Sequence, residues 1–163
     1  MARQQFGKVH TPLKVFCARM PPEFLKIFTK MHELSQKLTL PQETVSLIGL
    51  RVAGINGCSF CTDIGRSFVI KMSMNEAKFN TLEEYQTSPL FTDAERAVLD
   101  YVTELTRDKQ VKPDTFARLT SYYSERQICE IIWQVASEHL HNITNIGLNI
   151  HSDMLCDIAR KTR

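Results

Sequence analysis

In one segment after another the apolar residues return every three or four positions, and no stretch reads convincingly as a strand. Phe24, Ile27, Phe28, Met31, Leu34 and Leu38 share one face of a helix predicted over 23–38. The next helix opens at Thr39, whose spacing to Gln42 reads as a capping box, with Pro41 in the first turn. Val45, Ile48, Val52 and Ile55 line one side of it, and Asn56-Gly57 stops it. Gly49 and Gly54 inside this helix point to close packing against another backbone. A helix restarts near Cys58 and runs to about Met72, and 75–85 holds one or two short helices. Thr92 with Glu95 and Ser124 with Gln127 are further capping boxes. The first leads the stripe Ala97, Val98, Tyr101, Val102 and Leu105, and the second leads Ile128, Ile131, Ile132, Val135 and Ala136. A shorter helix over 113–123 lies between them, Gly147 stops the long last stripe, and a helix over 152–160 closes the chain. The expected fold is all-α, a helical bundle in a single domain spanning 1–163.

At 163 residues the chain can bury a core without disulfide staples. Its formal charge of +2 is nearly balanced, and bases are interleaved with acids, so nucleic acid is not an expected partner. No apolar run reaches the roughly 18 residues of a membrane span. With no signal peptide evident either, the expectation is a soluble, cytoplasmic protein with no membrane partner. Residues 1–22 hold Arg3, Lys8, Lys14 and Arg19 and no acid. Pro12, Pro21 and Pro22 break the long amphipathic helix of a transit peptide, so this stretch reads as an extended arm facing solvent or a partner. Five cysteines is an odd number, and Cys17, Cys129 and Cys156 lie far apart, which is not a secreted disulfide framework.

The remaining two, Cys58 and Cys61 in "INGCSFCTDIGR", stand three positions apart. Three readings compete. As a redox pair they gain from a position just after a helix stop. The free N–H groups and dipole of a helix N-terminus favour a thiolate, and residues i and i+3 bring the two sulfurs together. Arg66, on the same short element, adds positive charge to this picture. As half of a zinc site the pair needs two more ligands from His10, His32, His139, His141, His151 or the other cysteines, and no second CxxC exists. As inert buried thiols they need nothing further. The redox reading is preferred, and no metal or cofactor is expected.

The stretch "LRVAGINGCSFCTDIG" resembles the core motif of the carboxymuconolactone decarboxylase family, in its alkylhydroperoxidase D-like branch. "PLFTDAERAVLDYVTELTRD", "YYSERQICEIIWQVASEHLHN" and "IGLNIHSDMLC" resemble the family's C-terminal half in order and spacing, and "TPLKVFCARMP" its lead-in. The resemblance implies an all-α fold assembled into a homo-oligomer, a trimer or hexamer. It also implies a CxxC-dependent oxidoreductase that reduces a hydroperoxide or other small molecule and is itself reduced by a dithiol or a protein reductant. By the same resemblance Cys61 attacks and Cys58 resolves. Peroxidase members of the branch link the pair to a glutamate and a histidine, and at those positions this chain has Ser46 and Gly65. Neither is a general base at neutral pH.

Four residues are candidate substitutes for that proton relay. Glu43 stands one turn before Ser46, Asp63 lies inside the motif, and His139 and His141 sit on the long helix. The expected activity is therefore peroxidase-like, weak or altered. The alternatives are a decarboxylase-like or lactone-directed enzyme of the same family, or a non-enzymatic oligomeric redox sensor.

Overall fold

The fold is built around one helix that meets other helices on nearly every side. This is α3 (Gln42–Asn56), in which Leu47, Ile48, Leu50, Val52 and Ala53 are all buried. The computed structural model describes Gly7 and residues 9–162, apart from the side chains of Phe16 and Cys17. Among the described residues there are nine α-helices, one short 3₁₀ turn at Leu82–Glu84 and no strand, as the periodicity predicts. Around α3 run α1 (Thr11–Arg19), α2 (Pro22–Ser35), α4 (Ser59–Lys71), α5 (Glu76–Asn80), α6 (Asp93–Asp108), α7 (Pro113–Thr120), α8 (Glu125–Gly147) and α9 (Leu155–Lys161). Helices α4, α6 and α8 pack directly on α3, and α9 packs on α4.

The buried side chains form two clusters. The larger joins Leu47, Ile48, Val52, Phe79, Leu99, Leu119 and Ile131, and each such side chain stabilises the fold by about 1.5–3 kcal/mol. The smaller contains Ala53, Cys58, Phe60, Cys61, Ile150 and Leu155. No described helix is long and apolar enough to cross a membrane.

Two expectations are corrected. Thr92 and Ser124 form their capping boxes, but Thr39 does not. The N-cap of α3 is Pro41, and Thr39 instead donates its N–H and its hydroxyl to Glu130 of α8, with N–H to Oε2 at 2.8 Å. A carboxylate 91 residues away outcompetes the local box because it also accepts the N–H of Leu40. Nor is 1–22 wholly an extended arm, since 11–19 is helical. Thr11 opens α1 by donating its N–H and hydroxyl to the carboxylate of Asp153, at 2.8 and 2.7 Å, which ties this segment to the loop before α9. Arg3, Lys8 and the side chain of Cys17 lie outside the described residues.

Candidate active site

The turn between α3 and α4 places the two cysteines. Gly57 ends α3 with φ +70°, a left-handed conformation that suits glycine. Its N–H bonds to the carbonyl of Gly54, and the N–H of Cys58 bonds to that of Ala53. This is a Schellman closure, and it leaves no spacer before the next helix. Cys58 is itself the N-cap of α4, its Sγ accepting the N–H of Cys61 at 3.2 Å. The helix N-terminus is thus aimed at a sulfur, the arrangement that lowers a thiol pKa. Cys58 and Cys61 are joined in a disulfide, and both are buried.

A second group reaches the pair from α8. The side-chain N–H of Asn145, itself buried, donates to Cys61 Sγ at 3.4 Å. One turn back on the same helix, Asn142 is fully buried, accepts from Asn56 Nδ2 at 2.9 Å and donates to Glu138 Oε1 at 2.7 Å. Glu138 is half-buried as a residue. Burial dominates at its carboxyl and pushes it up to about 7, against a smaller downward pull from Asn142. Sequence reasoning missed Glu138, Asn142 and Asn145. The signal was their spacing of four and then three, which puts three polar side chains on one face of the helix.

The four candidate relay residues fall in different places. Glu43 is ion-paired at 2.7 Å with Lys78, which also holds Glu95 at 2.8 Å. Asp63 faces the chain before α9. Its carboxylate accepts the N–H groups of Asp153, Leu155 and Cys156 at 3.1, 2.9 and 3.0 Å and the hydroxyl of Ser152 at 2.9 Å. Burial alone would raise the Asp63 carboxyl, but these donors outweigh it and hold the group below the usual carboxylate value. His139 approaches the site through Asn56, whose Nδ2 lies 3.1 Å from His139 Nδ1. Burial, then the Lys109 charge, lowers the His139 pKa, so the neutral ring that accepts from Asn56 is favoured. His141 turns to Phe28 of α2, ring centroids 5.5 Å apart, and burial lowers its pKa also.

Gly65 has a packing reason. A Cβ there would lie 2.8 Å from Leu50 Cδ2, so α4 approaches α3 too closely for a side chain without a shift of Leu50. Arg66 donates to Asn80 at 2.8 Å and lines a small recess with Glu76, Phe79, Cys156 and Arg160. Cys156 donates to the Asp63 carbonyl, and burial followed by Asp63 pushes its thiol up to about 11, so it is no thiolate at neutral pH. Among the described residues no group of three or more His, Cys, Asp or Glu is gathered as a metal site.

The model of the carboxymuconolactone decarboxylase family matches residues 22–104. YnjA of Escherichia coli K12 is 27% identical over 165 aligned residues, covering 98% of this chain and 88% of its own. The structure of Atu0492 from Agrobacterium tumefaciens, a protein of unknown function described as a candidate antioxidant-defence protein AhpD, is similar at 26% identity. Its TM-score is 0.76 over 81% of this chain and 92% of that one. The debrominase Bmp8 shares the fold, with a TM-score of 0.86 over 99% of this chain and 86% of its own at 19% identity.

Proposed function

This chain belongs to the carboxymuconolactone decarboxylase family, and from that premise we propose that it is a thiol–disulfide oxidoreductase of the peroxidase-like kind. The observation that carries the reading is the Cys58–Cys61 disulfide at the N-terminus of α4, with Cys58 Sγ on the N–H of Cys61. In the reduced protein the thiolate of Cys61 attacks the outer oxygen of a hydroperoxide. The O–O bond breaks, a sulfenic acid forms on Cys61, and the alkoxide leaves and takes up a proton. The Cys58 thiolate then attacks that sulfur, releasing hydroxide, which leaves as water once protonated. Two thiols and one hydroperoxide thus become a disulfide, an alcohol and water. A dithiol reductant restores the pair by exchange. The likeness to Atu0492 supports this direction of chemistry.

The working form is a closed homo-oligomer, a trimer or hexamer. No residue of α2 is fully buried within one chain, and Ile27 and Leu34 are 53% and 44% exposed, so part of its apolar face is left for a neighbouring copy to cover. The function is tested by turnover of tert-butyl hydroperoxide with dithiothreitol as reductant. The parent should consume one peroxide per dithiol oxidised. Cys61→Ser should abolish turnover, and Cys58→Ser should stop after the first sulfenic acid. Peroxide turnover that survives in Cys61→Ser would refute the assignment.

A further inference from the structure

The seam between α3 and α8 carries an ionisable group that the redox pair does not need for packing. Glu138, Asn142 and Asn145 line one face of α8, and Gly49, Ala53 and Asn56 line the facing side of α3. At one end Asn145 donates to Cys61 Sγ. In the middle Asn142 is held between Asn56 and Glu138. At the other end a Cβ on Gly49 would lie 3.7 Å from Glu138 Oε2, so the carboxyl rests against the bare backbone of α3. Gly49 stands four residues, about 6 Å along the helix axis, from Ala53, which packs in the cysteine cluster.

We propose that Glu138, oriented by Asn142, is the acid–base group that takes up and returns protons for the Cys58–Cys61 pair. This rests on the function proposed above. The other withdrawn carboxylates are held by cations or backbone donors: Asp63 by three N–H groups, Glu130 by Thr39, Leu40 and Arg126, and Glu95 by Lys78 and Thr92. Glu138 has a neutral amide instead. A glutamine would keep that bond to Asn142 with no charge to desolvate, so packing gives no reason for a carboxylic acid here. Burial pushes Glu138 up to about 7, where a group both gives and takes protons.

The charged and titratable groups of the elements around it are otherwise occupied. On α3, Glu43 pairs with Lys78 and Arg51 with Glu83. On α8, His139 meets Asn56 and His141 meets Phe28. Lys109, at the end of α6, acts on His139, and Arg118 of α7 pairs with Asp100. On α4, Asp63 is held by the chain before α9 and Arg66 by Asn80. In the cycle Glu138 accepts the proton of the Cys61 thiol and gives it to the departing alkoxide. The proton of Cys58 follows the same route to the hydroxide, so carboxyl and protons balance at each turn.

The test is the rate at which tert-butyl hydroperoxide oxidises the reduced protein, followed by thiol loss across the pH range, for the parent, Glu138→Gln and Glu138→Asp. The parent should give a bell, one limb near pH 7 from the carboxyl and one from the thiol. Glu138→Gln should be slower by about tenfold to a hundredfold and keep the thiol limb alone, while Glu138→Asp recovers part of the rate and both limbs. A Gln variant with the parent's rate and bell overturns the proposal while the redox function stands. A parent whose pair does not react with peroxide removes the function and this proposal together. Should Glu138→Gln fail to fold, the ¹³C titration of the Glu138 carboxyl in the parent decides. A midpoint near 7 supports the proposal, and one near the ordinary 4.5 overturns it.

Discussion

Asp63 on α4 and Glu138 on α8 are both withdrawn from water near the cysteine cluster, and they are held in opposite ways. Asp63 meets the backbone of the chain entering α9 and is locked as an anion by three N–H groups and a hydroxyl. Glu138 meets a neutral amide and the bare backbone of α3 at Gly49. Burial has the same sign at both, but at Asp63 the donors win and at Glu138 desolvation wins. The difference separates a carboxylate that fastens the fold from one free to change protonation at neutral pH. Distance from the cysteines in sequence does not separate them: Asp63, inside the motif, is the fastener.

The largest expected effect is at the fastener. Asp63→Ala leaves three backbone N–H groups at the start of α9 without their acceptor and should cost about 3 kcal/mol near neutral pH. Because the folded carboxyl is depressed below 3.8, its contribution is fully present above that pH. It is lost as pH falls through the folded value. Urea denaturation of the variant and parent should therefore differ near neutrality and converge in strong acid, and equal stability at neutral pH would break the contrast.

Glu138→Gln should move stability the other way. A folded carboxyl raised from 4.5 to about 7 means that the native state binds more protons between those values, so native stability falls as pH rises through them. The full shift corresponds to about 3 kcal/mol, reduced here to about 2 because the residue is only half-buried. The Gln variant should be more stable than the parent by that amount at about pH 8 and equal to it at about pH 4. A Gln variant less stable at pH 8 would make Glu138 a second fastener.

The helices were legible because their signals are local. The boxes at Thr92 and Ser124 complete themselves within three residues, and both form. Thr39 misleads for the same reason, because its real partner, Glu130, arrives only when α8 docks on α3. The helix at 11–19 was hidden likewise, since Asp153 comes from the far end of the chain. At the site, the cysteine spacing and the Asn56-Gly57 stop were enough to foresee Cys58 at the head of a helix. Glu138 was not foreseen, because only the α3–α8 packing carries it toward Asn56. The missing side chain at Gly65 was visible in the sequence, but its reason, the approach of Leu50, was not.

That approach gives the smallest effect. Gly65→Ala places a Cβ 2.8 Å from Leu50 Cδ2, a clash costing about 1–3 kcal/mol that the better helix propensity of alanine offsets by about 1. A net loss of about 1 kcal/mol in thermal denaturation is expected. A gain in stability would show that Leu50 yields freely, and that the α3–α4 seam can hold a side chain.

The proposed chemistry requires that Cys58 and Cys61 form a reversible couple, and redox titration tests this directly. Protein equilibrated in dithiothreitol buffers of graded ratio is trapped by alkylation and mapped by peptide. Two thiols per chain should disappear together as a two-electron couple, about 30 mV per tenfold change. The mapped disulfide should join Cys58 to Cys61, while Cys129 and Cys156 stay alkylatable after unfolding. Both thiols of the pair remaining reduced across the whole range, or a disulfide mapped to any other two cysteines, would contradict it.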